Sequence, residues 1–208
     1  MAGTMACTGP AAVPAGGNSG SGNPGTESSD ESLRVDATAG RSGTQCVSPE
    51  PQTYRLDHFL APTPCTLAGA TVVDTHAVRR LLATGATAID VLPAPRKPST
   101  IGPGELWLPP LRDNIPGSWW LPNTGFGLLP AEEAKYLRDN LELISAGRND
   151  APMVFYCDAQ CWMSWNAARR AVEWGYTSVY WYPGGADAWR EAGMGLEAAQ
   201  PVTRREGQ

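Results

Sequence analysis

Residues 154–170 read VFYCDAQCWMSWNAARR, which places Cys157 and Cys161 four positions apart between an apolar run and a helical pattern. Such a pair can clip a metal, cycle as a redox couple, act as a nucleophile with a neighbour, or lie inert as two small buried hydrophobes. A structural zinc site takes four ligands, and two cysteines supply half of them. The two histidines, His58 and His76, make no second ligand pair, so a metal is not expected. A thiol at a strand-to-helix junction is another matter. Amides of the loop and of the first helical turn face inward there, forming an anion-binding concavity with the positive end of the helix dipole behind it. That environment stabilises a thiolate or a persulfide anion. Cys157 is placed to use it, and Asp158, Ala159, Gln160, Trp162 and Met163 would form the cradle.

The elements that must position this loop can be read from periodicity. Thr71–Val73 is a short strand, and Asp74 or Thr75 can cap a helix with Val78, Leu81 and Leu82 on its apolar stripe, ending at Gly85. Thr87–Val91 is apolar enough for a strand buried on both faces. Residues 93–114 carry six prolines and two glycines, which excludes regular structure over most of that stretch. Pro130 suits the first turn of a helix over Ala131–Ser145, with Tyr136, Leu137, Leu141 and Ile144 at helical spacing. Met153–Tyr156 is a strand, 163–174 a helix, Ser178–Trp181 a strand, and Ala186–Ala192 a last short helix. Strands alternating with helices imply an α/β fold: a parallel sheet with helices on both faces, binding ligands outside the carboxyl ends of its strands. Cys157 falls at that end of its strand.

Composition divides the chain. Residues 1–50 are dominated by Gly, Ser, Ala, Thr and Pro and contain no aromatic residue. Such a segment buries too little surface to offset its ordering entropy, so a disordered tail or tether is expected there, with the folded domain over 54–200. The net charge of −5 and the lack of a basic stripe argue against nucleic acid. No apolar run is long enough to span a membrane, and no apolar leader opens the chain, which by itself points to the cytoplasm. Met5-Ala6-Cys7 before a Gly/Ser-rich stretch has the look of a bacterial lipoprotein processing site with a tether, making Cys7 a lipid-anchor candidate; the alternative is a chance cysteine. An odd total of five cysteines does not read as a disulfide scaffold.

The segment from Val154 to Gly193 resembles a rhodanese-like domain. It has a strand ending in the cysteine, a loop, a helix with Ala167-Ala168, then Gly175-Tyr176, a strand, Gly184-Gly185, Trp189 and Gly193. Ile89-Asp90-Val91 and Ile115-Pro116-Gly117 before Trp119-Trp120 extend the likeness to roughly residues 70–195. The resemblance implies a rhodanese-like parallel sheet, Cys157 as nucleophile and Asp90 as a supporting residue. Departures are equally plain. Active rhodaneses usually carry a glycine three residues and an arginine five residues after the cysteine, where this chain has Gln160 and Trp162. An arginine normally follows the Asp-Val pair, and here Leu92 does. With Asp158 beside the nucleophile and no loop arginine, weak thiosulfate sulfurtransfer is expected.

The string CDAQCWMSWNAARRA, with tryptophan after the second cysteine, is similar to the subfamily of PQQ-dependent catabolism-associated CXXCW motif proteins, although three residues separate its cysteines rather than two. That likeness implies an exported, periplasmic bacterial protein with thiol redox or sulfur-transfer chemistry. Its partners would be a small sulfur-containing or thiol substrate or a quinoprotein pathway component. Pyrroloquinoline quinone enters by resemblance only, and no bound cofactor is expected. Cys161 would be a resolving thiol, although a rhodanese-type loop turns its side chains outward, so that joining it to Cys157 would need rearrangement. Trp162 and Trp165 flank the loop and Trp119-Trp120 could approach it. They could offer stacking surfaces, or else simply fill the core. The competing reading is a catalytically silent binding module on the same fold.

Overall fold

A computed structural model describes residues 48–95, 98–106 and 111–204. Residues 1–47 of the expected tail, Cys7 among them, lie outside them, whereas residues 48–50 are described. Five strands form one sheet in the order β1 (Thr71–Val72), β6 (Val179–Trp181), β5 (Met153–Tyr156), β2 (Thr87–Asp90), β4 (Trp119–Trp120). Every neighbouring pair is parallel, with Ile89 opposite Phe155 and Asp90 opposite Tyr156 at the centre. The helices are α1 (Thr75–Ala83), α2 (Ala131–Ser145), α3 (Trp162–Glu173) and α4 (Gly185–Glu191). A small antiparallel pair, β3 (Asp113–Asn114) with β7 (Glu197–Ala198), stands apart from the sheet. This is the α/β architecture that the alternating pattern implies.

Strand β5 shows why its residues are all apolar. Met153 and Phe155 point into a core shared with α2 and α3, through Leu137, Leu141, Trp165 and Ala168. Val154 and Tyr156 point into a second core with Val78 of α1 and Ala186 and Trp189 of α4. Side chains alternate between two covered faces, so neither can be polar. Tyr156 is the one with a polar tip. Its hydroxyl accepts from the Ile115 amide at 2.9 Å and donates to Ser118 Oγ at 2.8 Å, which pins the Ile115-Pro116-Gly117 turn to the sheet. Burial raises its pKa, and the hydroxyl stays protonated.

The chain before β1 is a strap laid across α3 and the cysteine loop. Contacts begin ahead of Tyr54: Glu50 accepts from Thr66 Oγ1 at 2.6 Å and from the Ala68 amide at 2.7 Å. Arg169 of α3 donates to the carbonyls of Pro51 and Gln52. Buried Asn166 accepts from the Arg55 amide and donates to the carbonyls of Arg55 and Gly125, each at 2.9 Å. Replacing Asn166 by Ala would strand a buried amide and two carbonyls. We expect Asn166→Ala to lower stability by about 2–4 kcal/mol, read as a reduced urea midpoint at unchanged slope; a loss below 0.5 kcal/mol would show that the strap is not fastened here.

Candidate functional site

The site lies where the carboxyl ends of β2 and β5 adjoin. β5 delivers Cys157 and β2 delivers Asp90, both fully buried. The loop Asp158–Gln160 then turns sharply, with Gln160 in the left-handed region at φ 54°. This is the residue standing where rhodaneses usually have glycine, and the positive φ is the reason for that glycine. The turn sends Cys161 inward as the N-cap of α3, leaving it 2% exposed. Its sulfur is joined to that of Cys157, with Cα atoms 6.2 Å apart, inside the span of a disulfide. Of the two arrangements that the spacing leaves open, a second sulfur turned away or one bonded to the first, the bonded one forms. Cys65 is disulfide-bonded as well, so an odd cysteine total did not mean an absence of disulfides.

Two amides of the loop and the first turn of α3, those of Ala159 and Trp162, already have acceptors. The Ala159 amide donates to Asp187 Oδ2 of α4 at 3.0 Å, and Arg190 Nη2 holds the other oxygen of Asp187 at 3.1 Å. The Trp162 amide donates to the Phe59 carbonyl at 2.8 Å, and the Ala61 amide to the Gln160 carbonyl at 3.1 Å, so the strap forms a bridge centred on Leu60 and Cys161. From behind, the Ala186 amide bonds the Cys157 carbonyl at 2.9 Å. A Cβ at Gly185 would strike that carbonyl, and one at Gly184 would crowd Ala188 Cβ, which accounts for the Gly-Gly pair. Cys157 Sγ lies 3.3 Å from the Cys161 carbonyl oxygen and 3.7 Å from that of Asp158. In the dithiol state those oxygens would be acceptors for an S–H.

An arginine from another segment stands at the site. Arg112, in the proline-rich stretch, donates through Nε to Asp90 Oδ2 at 2.8 Å and through Nη1 to Asp158 Oδ1 at 2.7 Å. Its side chain is 11% exposed, and Nη2 is buried without a partner among the described residues. Burial alone would lower its pKa, but Asp90 and then Asp158 hold it above the ordinary value. No sequence signal marked it; Arg112 lies 22 residues beyond Asp90 in a stretch without periodicity.

The tryptophans divide differently from the stacking platform considered above. Trp162 and Trp165 are 2% and 0% exposed and meet edge to face, with centroids 5.6 Å apart and planes at 69°. Trp162 Nε1 has no partner among the described residues, while Trp165 donates to the Thr66 carbonyl. Trp119-Trp120 form edge strand β4, and Trp120 donates to the Leu92 carbonyl. Met163, 9% exposed, packs in the core with them. An edge-to-face pair leaves no slot between parallel walls, so the Trp162–Trp165 surface does not fit a flat quinone.

Residues 76–192 of this 208-residue chain match the rhodanese-like domain. The chain belongs to that family. Among solved structures it is similar to a polysulfide-sulfur transferase homodimer from Wolinella succinogenes, at 16% identity over 67% of this chain and 85% of that one, TM-score 0.39. It is also similar to an uncharacterized protein from Saccharomyces cerevisiae, at 21% identity over 60% and 93% of the two chains, TM-score 0.35. No curated protein matches it. The rhodanese-like assignment accounts for the sheet, for Cys157 at its carboxyl edge and for the glycines behind the loop. The second cysteine, the strap and the Arg112 clamp are features of this chain's own geometry.

Two expectations follow. Desolvation raises the Asp90 pKa to about 6, with Arg112 and the Leu92 amide opposing. Native Asp90 thus keeps its proton up to about pH 6, while the unfolded chain releases it near the ordinary aspartate value of 3.8. The associated stability is fully present below the unfolded value and is lost as pH rises through 6. It should amount to roughly 3 kcal/mol; Asp90→Asn should flatten the pH 4–6 dependence of the urea midpoint, and an unchanged slope would refute the assignment. Trp162→Arg, which would supply the family's loop cation, instead buries a charge in the core with Arg55 already 5.2 Å from the indole centroid. We expect it to cost more than about 3 kcal/mol, seen as a collapsed melting temperature; a folded variant with raised thiosulfate:cyanide sulfurtransfer would contradict this.

Proposed function

We propose that this rhodanese-like protein is a thiol redox protein whose Cys157–Cys161 pair cycles between disulfide and dithiol. The observation that carries the reading is that the two sulfurs meet at the carboxyl edge of the sheet, where this family's site lies. Reduction takes two electrons and two protons: an incoming thiolate bonds to one sulfur, the pair's bond breaks, and a second thiol releases the mixed disulfide. Sulfur transfer through a Cys157 persulfide is the second reading, favoured by the position of Cys157 at the end of β5. Against it stand the amides of Ala159 and Trp162, already occupied by Asp187 and Phe59.

The CXXCW resemblance supports a place beside PQQ-linked alcohol oxidation, with a small thiol or a quinoprotein pathway component as partner. A second disulfide, at Cys65, supports an oxidising compartment such as the periplasm. No helix among the described residues is long and apolar enough to cross a membrane. Since the tryptophans beside the loop do not fit a flat quinone, the quinone is not assigned to this chain.

The test is a redox titration with thiol counting on wild type, Cys157→Ser and Cys161→Ser. In wild type, Cys157 and Cys161 should appear and disappear together, at a potential in the range of dithiol oxidoreductases, about −270 to −120 mV. Either serine variant should abolish that step. Intact mass showing one extra sulfur on Cys157, with no two-thiol transition, would favour persulfide transfer. Absence of both would favour the silent binding module.

A further inference from the structure

The cysteine loop is open to solvent only at Asp158–Gln160; the strap covers Cys161 and the sheet covers Cys157. Two carboxylates flank that opening. Asp158 is 32% exposed and Asp187, from α4, is 37% exposed. Each has one of its oxygens held by an arginine, Arg112 or Arg190, and Arg112 is shared with buried Asp90. Charges around the opening are therefore three carboxylates (Asp90, Asp158, Asp187) against two guanidiniums. From the strap, Arg55 and Asp57 lie 3.9 Å apart and offset each other, and His58 sits against Asp57. One negative charge is left uncompensated at the mouth of the site. Asp187 moreover occupies the Ala159 amide, a donor that an incoming anion would need.

We propose that these carboxylates set the specificity of the pair: its disulfide exchanges with thiols carrying a cationic group, less readily with neutral ones, and discriminates against anionic sulfur compounds such as sulfonates. The proposal rests on the redox reading above. In the selected step the thiolate of a cationic thiol bonds to one sulfur of the pair. The Cys157–Cys161 bond breaks, and the electron pair and a proton from solvent go to the other sulfur. A second thiol then attacks the mixed disulfide, leaving the dithiol protein and the oxidised reagent. The attacking forms of cysteamine, 2-mercaptoethanol and 2-mercaptoethanesulfonate are a zwitterion, a monoanion and a dianion, so each step along the series adds one negative charge. Asp187 acts through the field at the loop and through the Ala159 amide, and is a specificity residue rather than a catalytic one.

The experiment measures reduction of the full oxidised chain by these three thiols, with rates referred to each reagent's thiolate concentration. At low ionic strength the rate should fall about tenfold from zwitterion to dianion, and the gap should close as salt approaches 1 M. Asp187→Asn keeps an oxygen for the Ala159 amide and should narrow the gap to about threefold. Asp150→Asn removes the same charge at the opposite, amino end of β5 and should leave the gap unchanged. Equal rates for the three reagents overturn the proposal while leaving the redox reading intact. So does an equal response to both substitutions, which would trace the effect to the chain's overall charge of −5. Should Asp187→Asn not fold, the wild-type salt dependence decides alone: a gap indifferent to salt overturns the proposal. If none of the three reduces the pair, the redox reading itself fails and this proposal with it.

Discussion

A carboxylate fully buried at the end of a central strand cannot be left unpaired, and the site is organised around meeting that demand. Asp90 is 0% exposed. An isolated charge in such surroundings costs several kcal/mol after relaxation. Arg112 answers it at 2.8 Å, which brings Arg112 to the carboxyl end of β2. The same guanidinium then has a second donor pointing at the cysteine loop, where it takes Asp158 at 2.7 Å. One cation thus links the burial of Asp90 to the conformation of the residue beside Cys157.

Helix α3 connects this chemistry to the rest of the molecule through its polar residues. Arg170 is buried and donates to the carbonyls of Phe126 and Gly127 at 2.6 and 2.7 Å, with Tyr54 stacked over it at 4.2 Å. Asn166 holds the strap and the Gly125 turn together. These contacts leave the strap at the correct height for Phe59 and Ala61 to bridge the loop. Phe59 is secured from the other side by Phe126, edge to face at 5.4 Å. Burial of both sulfurs is consequently a property of tertiary packing that begins a full helix away. Access to the pair is coupled to how firmly that face of α3 holds its loops.

Most of the framework was legible in the residues. The span Ala131–Ser145 and the strand Met153–Tyr156 have the bounds their periodicity implies, because an apolar stripe and a fully apolar run are strong local signals. Asp74 caps α1 through the Ala77 amide, as a short acceptor before a helix should. What stayed illegible is non-local. β3, β4 and β7 have two residues each, too few to carry a period, and exist because partners across the fold pair with them. Arg112, Asp187 and the Phe59 carbonyl reach the site from segments whose sequences announce nothing of it. Gln160 is the instructive case: its side chain type argues against a left-handed turn, yet the geometry that the family fills with glycine is kept.

The same residues that bring the two sulfurs together also remove what an anion-handling site would need. A cradle for an oxyanion or a persulfide requires free amides converging on one point and a net positive surrounding. Here the Ala159 amide has a carboxylate from α4, the Trp162 amide has a carbonyl from the strap, and Arg112 already holds two aspartates. An intramolecular acceptor is always present at high effective concentration, so an external anion must displace it before gaining anything. A disulfide has no such requirement, being neutral and needing only that its sulfurs meet. Occupation of these two amides and the joining of Cys157 to Cys161 are therefore consistent with each other.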